Sequence, residues 1–207
     1  MAYFVGWSLF FIFFKCYLSF KVVGRENVPK KGPFIFASNH RSYFDPILLG
    51  TSIHRSLNYM ARENLFSGGL FGWAMRQVHA FPVKKGSGNL GALRQALNIL
   101  KNGKPLVIFP EGTRSSDKEL KPVKPGVGFI MARANVPVIP AYIEGSFEAL
   151  PRGLMTLKRS RVAVYVGRPL KFELNADPRG KEAYRKASDD IMREIAELKK
   201  RYAGHIG

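Results

Sequence analysis

Pro33-Phe34-Ile35-Phe36-Ala37-Ser38-Asn39-His40-Arg41-Ser42-Tyr43-Phe44-Asp45 passes from an apolar run to a polar cluster within a few positions. A second stretch repeats the pattern, with Pro105-Leu106-Val107-Ile108-Phe109 running into Pro110-Glu111-Gly112-Thr113-Arg114-Ser115. Short apolar runs bounded by turn-forming residues read as buried strands, the kind found in a sheet covered on both faces. In an open α/β sheet, ligands bind beyond the carboxyl ends of the strands. Two polar clusters leaving two strand ends are therefore expected to converge on one pocket, although about seventy residues separate them. The first supplies a histidine and a carboxylate. The second supplies a carboxylate, glycine and threonine backbone donors, and a guanidinium.

Histidine is the side chain whose unperturbed proton affinity suits base catalysis near neutral pH. As a base it needs a partner on its other ring nitrogen, to fix the tautomer and stabilise the imidazolium that forms. Asp45 lies off the face that a regular helix would share with His40. Pro46 disfavours helical geometry at Asp45 and suits the first turn of a new helix. Residues 40–45 thus read as a turn able to fold the carboxylate onto the imidazole. Asp45 also reads as a cap on a helix starting Pro46-Ile47-Leu48-Leu49, and its two oxygens allow both tasks. No Ser or Cys in a hydrolase-type elbow stands near His40, which points to a substrate hydroxyl rather than a protein nucleophile. In the second cluster, Gly112 permits close backbone approach and the fork of Arg114 matches a phosphate.

Taken together, Asn39-His40-x4-Asp45, the Phe109–Ser115 block and a further block, Val136-Pro137-Val138-Ile139-Pro140-Ala141-Tyr142, resemble the 1-acylglycerol-3-phosphate acyltransferases. These are the lysophosphatidate acyltransferases of the wider glycerolipid acyltransferase group. The resemblance spans roughly residues 20 to 170. It implies transfer of a fatty acyl group from a thioester of coenzyme A or acyl carrier protein to the sn-2 hydroxyl of 1-acylglycerol-3-phosphate, giving phosphatidic acid. It further implies that His40 is the general base and that Asp45 orients it. Arg114 and Lys84 would hold the acceptor phosphate, while Glu111 and the backbone of Gly112 and Thr113 would position the glycerol. One block departs from the family: Ala80-Phe81-Pro82-Val83 is followed by Lys84-Lys85 where an arginine is usual, so a point charge replaces a fork. The thioester is a co-substrate, and neither a resident cofactor nor a metal is expected; His54, His79 and His205 lack ligand spacing. Two rival readings remain. One is glycerol-3-phosphate or another lysophospholipid as acceptor; the other is a non-catalytic basic module that binds membranes or nucleic acid.

Composition fits an enzyme working at a lipid surface. At 207 residues and 46% hydrophobic, the chain suits one domain with an ample core. A net charge of +18, from 33 Lys and Arg against 15 Asp and Glu, calls for a polyanionic partner. No recognition-helix, RNA-binding-strand or zinc-ligand spacing accompanies that charge, so anionic lipid headgroups are expected rather than nucleic acid. The single cysteine, Cys16, excludes a disulfide framework within the chain and suits a reducing cytosol.

Residues 1–24 read as a membrane-associating segment and 25–207 as the acyltransferase domain. Tyr3 to Phe14 carries no charge, but Lys15 interrupts the run before the roughly 20 apolar residues a span requires. Its aromatic residues, Tyr3, Phe4, Trp7, Phe10, Phe11, Phe13, Phe14, Tyr17 and Phe20, suit the water–lipid interface. A helix lying in one leaflet at the cytoplasmic face is expected, separable from a domain that folds without residues 1–20, with a true span or a helix buried against the domain as the alternatives. The Ser67–Trp73 segment offers a second membrane-contacting or acyl-chain element, or core filling. Helical spacing marks Leu90, Leu93, Leu97 and Leu100, then Val127, Ile130, Met131 and Ala134, then Tyr184 through Tyr202. Strands are expected at 58–61, 138–143 and 161–166. The fold class is α/β: a mixed, mostly parallel sheet flanked by helices, with the N-terminal helical segment attached.

Overall fold

The structure, a computed structural model, describes residues 2–84, 90–115, 119–151, 156–172 and 181–204, with residues 2–7, 9–10, 70–71, 74, 125–126, 181 and 183 described by backbone alone. Lys85 and His205 lie outside the described residues, as do the side chains of Tyr3, Phe4, Trp7 and Phe10. In chain order the first elements are α1 (Ala2–Tyr17), β1 (Lys21–Val23), β2 (Ile35–Ser38), α2 (Asp45–Ser52), β3 (Asn58–Arg62), α3 (Gly69–Gln77) and β4 (Ala80–Val83). They continue as α4 (Leu90–Lys101), β5 (Leu106–Ile108), α5 (Pro125–Ala134), β6 (Val138–Glu144), α6 (Ser146–Ala149), β7 (Ala163–Val166) and α7 (Lys181–Tyr202).

The two quoted apolar runs are β2 and β5, and they are neighbours. They pair in parallel, with Ile35 opposite Leu106, Phe36 opposite Val107 and Ala37 opposite Ile108. The seven strands are ordered β1-β7-β6-β2-β5-β3-β4. Every adjacent pair is parallel except β6 with β7. The expected mixed, mostly parallel sheet is therefore the observed one.

Alternation along β2 explains why Phe34 to Ala37 is apolar throughout. Phe34 and Phe36 pack with Leu48 and Leu49 of α2 and with Phe14 of α1. Ile35 and Ala37 point the other way, toward Ala96 and Leu100 of α4, Ile130 of α5, and Ile191 and Ile195 of α7. A strand covered on both faces must be apolar at every position, with no polar alternation. The helical stripes fall largely as expected, but Leu90 is exposed and the buried edge of α4 runs through Ala92, Ala96 and Leu100. Gly103, at φ 75°, ends that helix in the left-handed region that glycine enters without steric cost. Trp73 is also exposed, so at that residue the Ser67–Trp73 segment does not fill the core.

The N-terminal segment is two-sided. Phe14, Leu18 and Phe20 are buried in the same core as α2, and the Phe14 ring meets Phe44 edge-on at 4.9 Å. β1 then joins the sheet beside β7. From Phe14 onward, the segment is continuous with the domain. Ile12, Phe13 and Tyr17 lie on the exposed side, with Phe13 and Tyr17 stacked at 5.5 Å. Among the described residues, no helix is long and apolar enough to cross a membrane.

Candidate active site

The end of β2 is pinned before it turns. The Asn39 side chain is buried; its amide nitrogen donates to the Ile143 carbonyl at 2.9 Å, and its oxygen accepts the Ile143 N–H at 2.7 Å. His40 follows. Its Nδ1 lies 2.8 Å from Asp45 Oδ2, which also accepts the backbone N–H groups of Arg41 at 2.7 Å and Ser42 at 2.8 Å. An ionised carboxylate can only accept, so Nδ1 carries the shared proton and Nε2 keeps its lone pair. Asp45 is fully buried, whereas the His40 side chain is 18% exposed. Asp45 does not act as a helix cap: its bonded oxygen receives upstream amides, while Ile47 and Leu48 donate to the Phe44 carbonyl. The Phe109 ring stacks on the imidazole at 4.0 Å and 17°, fixing its plane.

Because β2 and β5 are adjacent, the second cluster meets the first. Glu111 is 1% exposed. Its Oε1 accepts the His40 N–H at 3.0 Å, and its Oε2 accepts the Ser115 hydroxyl and the Lys121 N–H, each at 3.1 Å. The Ser115 N–H returns a bond to the His40 carbonyl at 2.8 Å. Both peptide groups of His40 are thus held by the neighbouring loop. The expectation that Glu111 positions the glycerol meets a carboxylate committed on both oxygens to protein donors; its reach to a substrate runs through the loops it ties. Similarly, the Gly112 N–H is spent on the Phe109 carbonyl at 2.9 Å, in a turn where Gly112 adopts φ 65°. Gly112 and Thr113 are both exposed at the loop tip.

Arg114 projects over Tyr43, its Cζ 3.4 Å from the ring centroid. Its Nη1 is shielded from solvent and has no hydrogen-bond partner among the described residues. Lys84 follows β4 at the outer edge of the sheet, exposed on the same carboxyl side but separated from β2 by β5 and β3. The structure therefore gathers His40, Asp45, Glu111 and Arg114, and leaves Lys84 more remote. His54 lies 3.5 Å from an Arg25 nitrogen, and His79 contacts the Ser56 hydroxyl; burial, then the Arg25 charge, lowers the proton affinity of His54. Sequence reading gave no task to Asn39, Tyr43, Phe109 or Ser115. All four stand inside the quoted blocks, so their position was the signal.

A histidine bonded to a buried aspartate, with a guanidinium one loop away, thus stands at the carboxyl edge of a parallel sheet, an arrangement compatible with transfer to a substrate hydroxyl. Comparison with known proteins gives the same class, since the pattern of the Acyltransferase family matches residues 19–144. The chain belongs to the Acyltransferase family. It is 30% identical over 179 residues to the 1-acyl-sn-glycerol-3-phosphate acyltransferase of Bacillus subtilis, covering 86% of this chain and 87% of that protein. A chloroplastic 1-acyl-sn-glycerol-3-phosphate acyltransferase of Brassica napus is also 30% identical, over 82% of this chain but only 50% of its own longer length. The crystal structure of the 1-acyl-sn-glycerophosphate acyltransferase PlsC from Thermotoga maritima superposes with a TM-score of 0.74 at 30% identity, over 96% of this chain and 80% of that one.

Proposed function

We propose that this enzyme transfers a fatty acyl group from a thioester of coenzyme A or acyl carrier protein to the sn-2 hydroxyl of 1-acylglycerol-3-phosphate, releasing the thiol and phosphatidic acid. The observation that carries this reading is the three-donor grip on Asp45 Oδ2, which presents His40 Nε2 as a base. The substrate hydroxyl gives its proton to Nε2 as its oxygen attacks the thioester carbonyl. Collapse of the tetrahedral adduct expels the thiolate, and the proton passes from Nε2 to sulfur. Asp45 stays ionised and stabilises the transient imidazolium. Arg114 takes the acceptor phosphate, with Lys84 as a second, more distant charge. The tip at Gly112 and Thr113 borders the glycerol. Much of the rate comes from holding two lipid-bearing substrates in register.

The acceptor is itself an amphiphile, so the enzyme works at the cytoplasmic face of a membrane. The exposed side of α1 enters one leaflet, and the net charge of +18 draws the domain to anionic headgroups. A panel crossing both donor types with lysophosphatidate, glycerol-3-phosphate and other lysophospholipids tests the assignment. Phosphatidic acid formed chiefly from lysophosphatidate is the expected result. Preference for glycerol-3-phosphate reassigns the acceptor, and transfer to none of them returns the chain to a non-catalytic basic module.

A further inference from the structure

Tyr43 lies between His40 and Asp45 in sequence, at a position to which the transfer chemistry assigns no task. The residue is 56% exposed at the edge of the site. The ring lies flat against one ligand-binding group, with Arg114 Cζ 3.4 Å from its centroid, well inside the distance at which a ring quadrupole attracts a cation. A guanidinium donates in its own plane and stacks through its face. Contact with Tyr43 therefore occupies the face of Arg114 and leaves the in-plane fork to oxygen acceptors. The Arg114 backbone is held separately, its carbonyl accepting from Lys121 Nζ at 3.2 Å while the next residue, Ser115, bonds to His40. Among the described residues, Arg114 Nη1 has no acceptor.

We propose that Tyr43 is a positioning residue that selects a phosphomonoester headgroup by holding the Arg114 guanidinium edge-on to it. This rests on the reading of Arg114 as the phosphate ligand. The ring restrains a long side chain before substrate arrives, so less freedom is lost on binding. It also links the two loops, so the loop that carries the base sets the direction of the phosphate fork.

The test uses the full chain in mixed micelles, with Tyr43→Leu, Tyr43→Phe, Arg114→Ala and the Tyr43→Leu/Arg114→Ala double variant. Lysophosphatidate affinity is measured without donor; kcat and KM are then measured with lysophosphatidate and with uncharged monoacylglycerol. Tyr43→Leu should weaken lysophosphatidate binding, and raise its KM, by about three- to tenfold, with kcat moving by less than about twofold. The effect should shrink with monoacylglycerol, Tyr43→Phe should restore binding, and the double variant should be no worse than Arg114→Ala. Unchanged lysophosphatidate affinity in Tyr43→Leu, equal losses with both acceptors, or Tyr43→Phe failing like Tyr43→Leu would overturn the proposal while leaving Arg114 in its role. Equal losses with both acceptors in Arg114→Ala would remove the phosphate reading itself, and this proposal with it.

Discussion

At the scale of single residues, the site depends on one oxygen. Asp45 Oδ2 accepts hydrogen bonds from His40 Nδ1 and from two backbone amides, so the same atom shapes the turn and sets the tautomer. His40→Ala removes the base and little core volume, and turnover should fall by at least about 10²–10⁴ while the circular dichroism spectrum is kept. Near-wild-type turnover in a folded His40→Ala protein would reject the mechanism. Asp45→Asn keeps the shape but loses the charge that holds the imidazolium, and should lower kcat by a factor approaching about 10⁴. This pair was legible in sequence because its partners are local: only the turn enforced by Pro46 had to be inferred. The task of Glu111 was not. A carboxylate beside a glycine and an arginine reads as facing substrate, and only the adjacency of β2 and β5 brings it the His40 amide.

Between elements, two close contacts decide geometry. Glu111 ties the loop after β5 to the loop after β2, and its oxygens accept from three donors among the described residues. Glu111→Gln puts an NH2 group among those donors. It should cost about 1–3 kcal/mol in stability and lower kcat more than it raises KM, because it loosens the base rather than the phosphate. A denaturation midpoint paired with steady-state kinetics checks both halves; a KM effect alone would return Glu111 to direct substrate contact. On the opposite helical layer, α5 and α7 cross at Gly128, where an added Cβ would overlap the Tyr184 carbonyl oxygen and the Ser188 hydroxyl. Gly128→Ala should therefore destabilise by about 1–3 kcal/mol or more, read as a lower denaturant midpoint, since backbone blocks the space. The α5 stripe was legible from its period, whereas this crossing was not, because a glycine in a helix shows no partner in sequence.

For the whole molecule, two properties follow from charge and burial. The Tyr142 phenol is pushed up from 10.0 to about 12, first by burial and then by the nearby Glu144 carboxylate. The unfolded chain releases this proton near pH 10 while the folded chain holds it. The stabilisation is complete below that point and is lost as pH rises toward about 12. Tyr142→Phe should flatten the fall in stability between about pH 10 and pH 12, measured by denaturant midpoints; an unchanged slope would assign alkaline unfolding to other groups.

The α/β class was readable because doubly covered strands are apolar at every position. The docking of α1 was not readable, because a helix apolar all round names no inner face. Its two faces now separate an exposed side, with Ile12, Phe13 and Tyr17, from a core side, with Phe14. Removing residues 1–20 would strip Phe14, Leu18 and Phe20 from the core, so point variants test membrane attachment more cleanly. Phe13→Asp, on the exposed side beside Tyr17, should leave the fold intact and reduce sedimentation with anionic vesicles. Phe14→Asp should unfold the protein, because it buries a charge without a partner. Salt should release only part of the wild type, since exposed charges are screened within about 8 Å at physiological ionic strength but inserted aromatic side chains are not. Phe13→Asp should be the more completely salt-released of the two folded proteins. Equal salt release would make the attachment purely electrostatic, and labelling that places residues 1 and 24 on opposite sides of the bilayer would replace the one-leaflet helix with a tilted span.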